Sequence, residues 1–330
     1  MERQNKYIFI IGLYWSGSSA VFDWLKGFEE DVVVVPGEFD IFRKPGKIAS
    51  IISSETNTAK KNTATIFLKK SLKTKLRKQI ISDKNLIRIK NRVKIILNKL
   101  GGKNYKIPSI DTIKFDETDY ANSTTIKYLK EYLKNIEKAN FDEIKFWKKW
   151  LDEILLPYSK TDKTLILDQP IFLTSHSKIW SQLFSEFKIV MVHRNPADQF
   201  AEIIRQEVIH VKRGYLIDHF DSKNHYNEKD LAISFAEMLK EKYERLLDLK
   251  ECYNEHLISL SFEEFIQNYL VKSEELKKAL DIKTKNKTTF FDPNKSLKNI
   301  GISNQDWAKE QISDKGYKYF NKIDSIRSLL

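Results

Sequence analysis

Short apolar runs alternate with longer segments of helical periodicity along most of the chain. The first run, residues 7–12 (YIFIIG), ends in glycine and is followed by the turn-like LYWSGSS and the amphipathic AVFDWLKGF. This order predicts a strand, a tight loop and a helix. Further strands are predicted at residues 31–35, 164–167, 187–192 and 256–262. Strands that alternate with helices predict an α/β fold, a doubly wound and mostly parallel sheet with a P-loop-like first turn.

Residues 45–160 interrupt this alternation with lysine-rich sequence of helical periodicity. We therefore predict one domain over residues 1–330 with a helical insertion at about 45–160, and two domains are the alternative. Later helices are predicted at residues 177–184, 228–252 and around 273–280. The remaining tail is expected to be rich in loops.

The positive charge of the chain lies inside the insertion. Between Lys60 and Lys106, thirteen lysines and three arginines stand against one acid, Asp83, a balance of +15 in a chain whose total is +12. Apolar positions from Ile66 to Ile81 follow an approximate helical spacing among these lysines. Such a segment binds an anionic membrane surface, binds an acidic polymer, or covers the core with a solvated face. Nucleic acid is the less favoured polymer, because few aromatic residues interleave with the charges.

The remaining composition favours the cytoplasm. The single cysteine, Cys252, excludes an internal disulfide, and no run approaches the length of a membrane span. The apolar run near the first residue is shorter than that of a signal peptide. We expect a cytoplasmic protein. Residues 60–106 could in addition contact the inner face of the membrane peripherally.

Residues 12–19 (GLYWSGSS) have the spacing of a phosphate-binding loop, G-x-x-x-x-G-K-[ST], but Ser18 stands where the lysine belongs. A glycine-containing turn before a helix directs backbone N–H groups at an anion, and Ser16, Ser18 and Ser19 add hydroxyls around Gly17. The alternative is a purely structural turn. A nucleotide kinase is less favoured, because its lysine contacts the transferred phosphate.

Several stretches together resemble the sulfotransferases that use 3′-phosphoadenosine 5′-phosphosulfate (PAPS). The first loop resembles their phosphosulfate loop, in a fold similar to that of nucleotide kinases. The matching segments are residues 12–25 (GLYWSGSSAVFDWL), 36–42 (PGEFDIF), 167–170 (LDQP), 190–203 (VMVHRNPADQFAEI), 261–265 (SFEEF) and 292–301 (DPNKSLKNIG). Their order along the chain is more specific than any single match. The strongest are the first loop and HRNP.

The resemblance implies PAPS as the sulfuryl donor, adenosine 3′,5′-bisphosphate as the product, and no metal. Arg194 would bind the 3′-phosphate, since it follows a strand at the carboxyl edge where such sheets bind ligands. A surface arginine that stabilises the turn is the alternative. A C-terminal loop carrying Lys295, Ser296, Asn299 and Gly301 would close over the nucleotide.

The general base implied by the resemblance is Glu38, which follows the second predicted strand. Asp40 and His176 are the alternatives, and a carboxylate in a solvated turn is the structural interpretation of Glu38. The acceptor would be a hydroxyl, with an anionic or lipid-linked glycan suggested by the basic insertion.

This sequence departs from the family pattern at three points. Trp15 stands where many relatives carry a cation, and Arg43, Lys44 or Lys295 would have to replace it. Glu202 stands where the family commonly has a serine, eight residues after the arginine, and a carboxylate there would repel the phosphate unless it turns away. Asp168-Gln169-Pro170 replaces a K-x-P turn. A sulfotransferase is the preferred prediction, with a kinase-like enzyme and a non-catalytic anion- or nucleic-acid-binding module as alternatives.

Overall fold

Parallel strands form the centre of the structure. The computed structural model describes residues 6–13, 15–43, 46–82, 117–159, 162–170, 178–210, 231–287 and 290–330. Five strands form one sheet in the order β2-β3-β1-β4-β5, and every pair of neighbours is parallel. The strands are β1 (Lys6–Gly12), β2 (Val32–Glu38), β3 (Thr164–Asp168), β4 (Glu186–His193) and β5 (Leu257–Ser261). The predicted α/β class with a parallel sheet is confirmed.

Helices make up most of the rest of the described chain. In chain order they are α1 (Ser18–Lys26), α2 (Asp40–Arg43), α3 (Ile48–Ile52), α4 (Asn57–Ser82), α5 (Glu117–Asn135), α6 (Glu143–Leu155), α7 (Lys178–Leu183), α8 (Pro196–His210), α9 (Leu231–Cys252), α10 (Phe262–Gln267), α11 (Tyr269–Ala279), α12 (Pro293–Leu297), α13 (Asp306–Gln311) and α14 (Asp314–Arg327). A short 3₁₀ turn at Ile302–Asn304 lies between α12 and α13. The expectation of a loop-rich tail is therefore wrong. α14 buries Gly316, Phe320 and Ile323, a helical spacing that charged neighbours obscure.

The sheet is buried on both faces, as a parallel sheet requires. Successive side chains of β1 point to opposite faces, so Ile8 and Ile10 pack with α1 and α10. Phe9 lies on the other face, where its ring contacts Phe184 and stacks on Phe187 at 5.2 Å. Because the core is fixed on both sides, the ends of the strands are held at defined positions.

β2 is longer than the sequence predicts. Pro36 and Gly37 were expected to close the strand, but pairing with β3 continues to Glu38 after a register shift. Gly37 has a φ of 74°, which is the left-handed conformation that glycine adopts without strain. This irregularity brings the backbone of Glu38 level with Asp168 at the carboxyl end of β3.

The chain forms two compact units, residues 1–40 with 158–330, and residues 41–157. The first unit contains the sheet. The second has a core of aromatic side chains, including Tyr132, Trp147 and Trp150, the last of which donates to Thr125 Oγ1 at 3.0 Å. That the whole chain is one domain with an insertion stays a prediction.

The basic helix α4 lies within the second unit. Its buried side chains include Ala64 and Phe67, whereas Ile66, which was expected on the apolar face, is 53% exposed. The apolar pattern alone therefore misplaces the inward face by one residue. Residues 83–106 of the predicted basic segment lie outside the described residues, and the proposed membrane or polymer contact stays a prediction.

Candidate functional site

The loops after β1, β3 and β4 meet at the carboxyl edge of the sheet. β1 is central, and the chain leaves it for β2 and β3 on one side before crossing to β4 and β5 on the other. Open parallel sheets bind ligands at the edge where the direction of winding changes. Gly12 is in register with Val192 of β4, so the first loop and the HRNP turn start side by side.

The first loop is a tight turn between β1 and α1. Ser16 N–H donates to the Leu13 carbonyl at 2.8 Å, and Gly17 precedes the helix with a φ of 90°. Trp15 has a φ of 51°, a left-handed conformation that is uncommon outside glycine. Gly17 is required for a second reason, because a Cβ there would lie 2.1 Å from the Phe262 ring.

Hydrogen-bond donors at this loop are left unfilled by the described part of the chain. The N–H groups of Gly17, Ser18 and Ser19 have no acceptor there, and no side chain caps α1. Ser16 is 1% exposed, and its hydroxyl has no partner among the described residues. This hydroxyl lies inside the loop, since a Cβ on Gly12 would approach it to 2.1 Å. A buried polar group without a partner is rare, and the Ser16 hydroxyl lies two residues before α1, at the positive end of the dipole of this helix.

Gln169 connects the end of β3 to the first loop. Its side-chain amide accepts from Gly12 N–H at 3.3 Å and hydrogen-bonds with Ser18 Oγ at 2.9 Å. Its backbone N–H donates to the Ile10 carbonyl at 2.8 Å, and its φ of 49° is left-handed. Two non-glycine residues with positive φ therefore shape this loop, Trp15 within it and Gln169 beside it.

Arg194 lies beside the first loop and is 3% exposed, so it is not the surface arginine considered as an alternative. One Nη donates to the Trp15 carbonyl at 3.1 Å, and the other donates to the Asn299 carbonyl. The guanidinium also lies 5.1 Å from the centre of the Phe262 ring. Only Nε is buried without a partner in the described chain. Burial lowers the pKa of Arg194 from its usual range.

Side chains of α8 hold the C-terminal loop in place. Asp198 is 3% exposed, and its carboxylate accepts from Gly301 N–H at 2.7 Å and from Ser303 N–H at 2.9 Å. Arg205 donates to Asn299 Oδ1 at 3.1 Å. Gly301 has a φ of 68°, which allows the chain to turn into the 3₁₀ segment.

Glu202 was expected to repel a phosphate, but its charge is compensated. Both carboxylate oxygens accept from Arg205, at 2.6 and 2.7 Å. The carboxylate and the guanidinium are neighbours on α8, and Glu202 is almost fully buried. Where the family commonly has a serine, this chain thus has a glutamate whose charge is neutralised by Arg205.

A second set of contacts holds the HRNP turn, residues 193–196, in place. Asn195 Oδ1 accepts from the N–H groups of Ala197 and Asp198, which caps α8, and Glu263 accepts from Asn195 N–H at 2.7 Å. The buried Tyr243 hydroxyl donates to the Arg194 carbonyl at 2.8 Å. These contacts hold the arginine's backbone as well as its side chain.

His193 and Arg327 extend this set to the last helix. Arg327 Nη1 lies 3.2 Å from His193 Nδ1 and 3.7 Å from Glu263, and its Nε donates to Asp324 at 2.6 Å. Burial, followed by the charge of Arg327, lowers the pKa of His193 to about 4. His193 is therefore neutral at physiological pH.

The structure brings most of the predicted binding residues together. Ser16, Gly17 and Ser18 form the loop, and Arg194 joins this loop to Asn299. Ser19 is exposed on α1, and Lys295 is exposed on α12, a helix capped by Asp292. Half-buried residues complete the C-terminal loop, namely Ser296 and Gly301.

The predicted base is only partly located. The backbone of Glu38 pairs with Asp168 at the carboxyl edge, and Asp40 begins α2. The side chains of Glu38, Asp40 and Arg43 lie outside the described part of the structure, as do all atoms of Lys44 and His176. The assignment of Glu38 as base stays a prediction.

Sequence reasoning missed five residues that build this edge. They are Gln169, Asp198, Arg205, Phe262 and Glu263. Four of them lie inside segments that matched the family, namely Gln169, Asp198, Phe262 and Glu263, so their positions were indicated but their contacts were not. Asp198 and Arg205 are four and eleven residues after Arg194, spacings that place them on one side of α8.

Two features are absent from the described residues. No helix in the described ranges is both long and apolar enough to cross a membrane. No group of three or more His, Cys, Asp and Glu side chains in the same ranges is arranged to hold a metal ion.

Comparisons with known proteins gave matches at the level of structure. No protein-family model and no curated protein matches the sequence. A sulfotransferase domain from the Synechococcus PCC 7002 olefin synthase is similar over 90% of this chain and 85% of its own, with 13% identity and a TM-score of 0.36. Sulfotransferase STF9 from Mycobacterium avium is similar over 90% of this chain and 69% of its own, with 11% identity and a TM-score of 0.39. Both are named as sulfotransferases, the family that the motifs of this sequence resemble.

Proposed function

We propose that this chain is a sulfotransferase that binds PAPS at the first loop and transfers the sulfuryl group to an acceptor hydroxyl. The observation that supports it most is the set of unfilled donors at the loop: the N–H groups of Gly17, Ser18 and Ser19 and the buried hydroxyl of Ser16. An anion with several oxygen atoms satisfies such a set.

Residues at the carboxyl edge of the sheet are suited to bind both the phosphosulfate and the 3′-phosphate of PAPS. The loop would hold the phosphosulfate through backbone amides, and the positive end of the α1 dipole would stabilise its negative charge. Nε is the one nitrogen of the Arg194 guanidinium without a partner in the described chain, and the half-buried Arg205 lies next to Asn299. These two side chains are the candidates for the 3′-phosphate. Arg194 donates one N–H from each Nη to a carbonyl, so the second N–H of each Nη is also available to a phosphate.

Sulfuryl transfer places modest demands on the protein. When bound, PAPS supplies the sulfuryl group: the acceptor oxygen bonds to sulfur, the sulfur–oxygen bond to the phosphate breaks, and adenosine 3′,5′-bisphosphate leaves. The loop N–H groups stabilise the negative charge that grows on the departing phosphate. A base takes the acceptor proton, and Glu38 is proposed because its backbone lies at the same edge.

A kinase-like function is the second candidate, and the loop disfavours it. A nucleoside triphosphate presents more negative charge than a phosphosulfate, and P-loop enzymes meet that charge with a lysine. Ser18 at that position is hydrogen-bonded to Gln169 and carries no charge.

The test compares nucleotides by thermal unfolding. Adenosine 3′,5′-bisphosphate without divalent metal should stabilise the protein by about 2.7 kcal/mol at a concentration one hundred times its Kd. Adenosine 5′-monophosphate should stabilise it less, because it lacks the 3′-phosphate. Stabilisation by ATP with Mg²⁺ and none by the bisphosphate would reject the proposal. Transfer of radioactive sulfur from labelled PAPS to an acceptor then tests catalysis directly.

We propose an anionic glycan, free or linked to a lipid, as the class of acceptor. Its support is the charge of +15 between Lys60 and Lys106. A basic segment raises the local concentration of an anionic acceptor and loses this effect as salt screens the charges. Turnover with an anionic acceptor should therefore fall with ionic strength more steeply than turnover with a neutral one.

A further inference from the structure

We propose that Gln169, paired with Ser18, is the specificity-determining residue of the first loop. The inference rests on the proposed function and adds a role for a residue that the family resemblance marks only as a departure. The pair supplies neutral hydrogen-bonding groups where a P-loop carries a cation. The loop therefore accepts the phosphosulfate end of a nucleotide and disfavours a triphosphate.

The contacts of Gln169 tie together three elements of the edge. Its backbone is held to β1 by the 2.8 Å bond from its N–H to the Ile10 carbonyl. Its amide then reaches Gly12 N–H at the end of β1 and the Ser18 hydroxyl at the start of α1. One side chain thus fixes both ends of the loop whose donors face the anion.

The backbone of Gln169 is in a conformation that needs support from its surroundings. A φ of 49° in a residue other than glycine, asparagine or aspartate costs about 1 kcal/mol or more. Pro170 follows directly and is buried, and its ring restricts the backbone of Gln169. This geometry aims the amide at the loop.

Two further observations show that the loop is prepared for a ligand. The Ser16 hydroxyl is buried inside it without a partner in the described residues, although the neighbouring hydroxyl of Ser18 is paired with Gln169. The first turn of the nine-residue helix α1 has no cap. Gln169 thus occupies the flank of the loop and leaves its donors open.

Gln169→Glu tests the need for a neutral group, because it keeps the size of the side chain and adds a negative charge. At pH 8 it should weaken binding of adenosine 3′,5′-bisphosphate at least 10-fold relative to wild type. The affinity of wild type divided by that of the variant should become smaller as the pH falls to about 4.3, the usual pKa of a glutamate side chain, because protonation removes the added charge. A purely structural role would not produce this change. Gln182→Glu is the matched control. It adds the same charge to the exposed face of α7, just before the amino end of β4, and should change affinity less than 2-fold.

Gln169→Leu and Ser18→Lys complete the test. Leucine removes the hydrogen bonds without adding charge and should weaken bisphosphate binding by roughly 3- to 10-fold. Ser18→Lys restores the P-loop cation and should raise the affinity for ATP relative to the bisphosphate at least 10-fold.

The outcomes separate the two proposals. If wild type does not bind the bisphosphate, the proposed function fails. If wild type binds it and Gln169→Glu binds equally well at every pH, or Ser18→Lys leaves the preference between nucleotides unchanged, the role of Gln169 and Ser18 is overturned while the proposed function stands. A variant that does not fold is replaced by Gln169→Asn, which tolerates the positive φ but is too short to reach Ser18. Unchanged affinity in that variant also overturns the inference.

Discussion

The turns after β1 and β4 are neighbours on the same edge of the sheet, but their hydrogen-bonding groups are satisfied in different ways. After β1, the Ser16 hydroxyl and the N–H groups of Gly17, Ser18 and Ser19 have no partners in the described chain. After β4, the carboxylates and amides of the HRNP turn are almost all paired within the protein. Unfilled buried groups cost free energy in the absence of a ligand, and filled ones stabilise the fold. The difference therefore separates a ligand-binding turn from a turn that also holds the fold together.

The double use of Arg194 follows from this comparison. A residue predicted to grip a phosphate instead bonds two carbonyls, from segments 179 and 105 residues away in sequence. It connects the first loop to the C-terminal loop, so it shapes the ligand site even where it does not contact the ligand. The roles of the two turns can be tested with variants whose free energy of unfolding and nucleotide affinity are measured separately.

The largest effect is expected for Arg194→Met. Methionine keeps much of the volume but removes the two charge-assisted hydrogen bonds that Arg194 donates to the carbonyls of Trp15 and Asn299. The free energy of unfolding should fall by about 3 kcal/mol, measured by urea unfolding without nucleotide. The control is Arg245→Met on α9, where the partly exposed guanidinium is paired with Glu241 and a loss of about 0.5 kcal/mol or less is expected.

Stability within 0.5 kcal/mol of wild type in Arg194→Met, together with a large loss of bisphosphate affinity, would contradict this interpretation. In that case the contacts to the two carbonyls would contribute little, and the arginine would serve the ligand alone.

Sequence patterns predicted the parts of this edge that depend on local order. The strands were located because their apolar runs end in glycine or in turn residues, and the first loop because its spacing is local. The tail was not predicted correctly, since α12 and α13 are short and only α14 carries a helical set of buried residues. The partners of Arg194, Gln169 and Asp198 come from segments more than 100 residues away, and no local pattern records such contacts.

The next effect concerns pH and the turn after β4. The pKa of His193 is about 4 in the folded protein against 6.5 for the free side chain, because burial and the charge of Arg327 disfavour its protonated form. Between these values the unfolded chain binds more protons than the folded one, so stability falls as the pH drops from 6.5 towards 4. At pH 5, one and a half units below 6.5, His193 lowers the free energy of unfolding by about 2 kcal/mol.

His193→Asn should not show this loss of stability at low pH, because asparagine does not titrate. Its side-chain oxygen can still accept a hydrogen bond from Arg327. The measurement is the free energy of unfolding of both proteins at pH 7 and pH 5. Wild type should lose about 2 kcal/mol more than the variant between the two conditions. Equal losses in the two proteins would assign the pH dependence to other groups, including the neighbouring Asp324.

The smallest effect gives the most direct contrast between the turns, because it compares two buried hydroxyls. Ser16 has no partner in the described chain, and Ser303 donates to the Asp198 carboxylate at 2.7 Å. Ser16→Ala should leave the free energy of unfolding unchanged or raise it, since no hydrogen bond is lost and a buried hydroxyl without a partner is removed, and should weaken bisphosphate binding about 10-fold. Ser303→Ala should do the reverse, with a loss of about 1 kcal/mol in stability and an affinity within about 3-fold of wild type. Both variants remove the same atom from a buried site, so the difference between them isolates what the hydroxyl contacts. If Ser16→Ala destabilised the protein and left affinity unchanged, the first loop would be a structural turn, and the distinction between the two turns would fail.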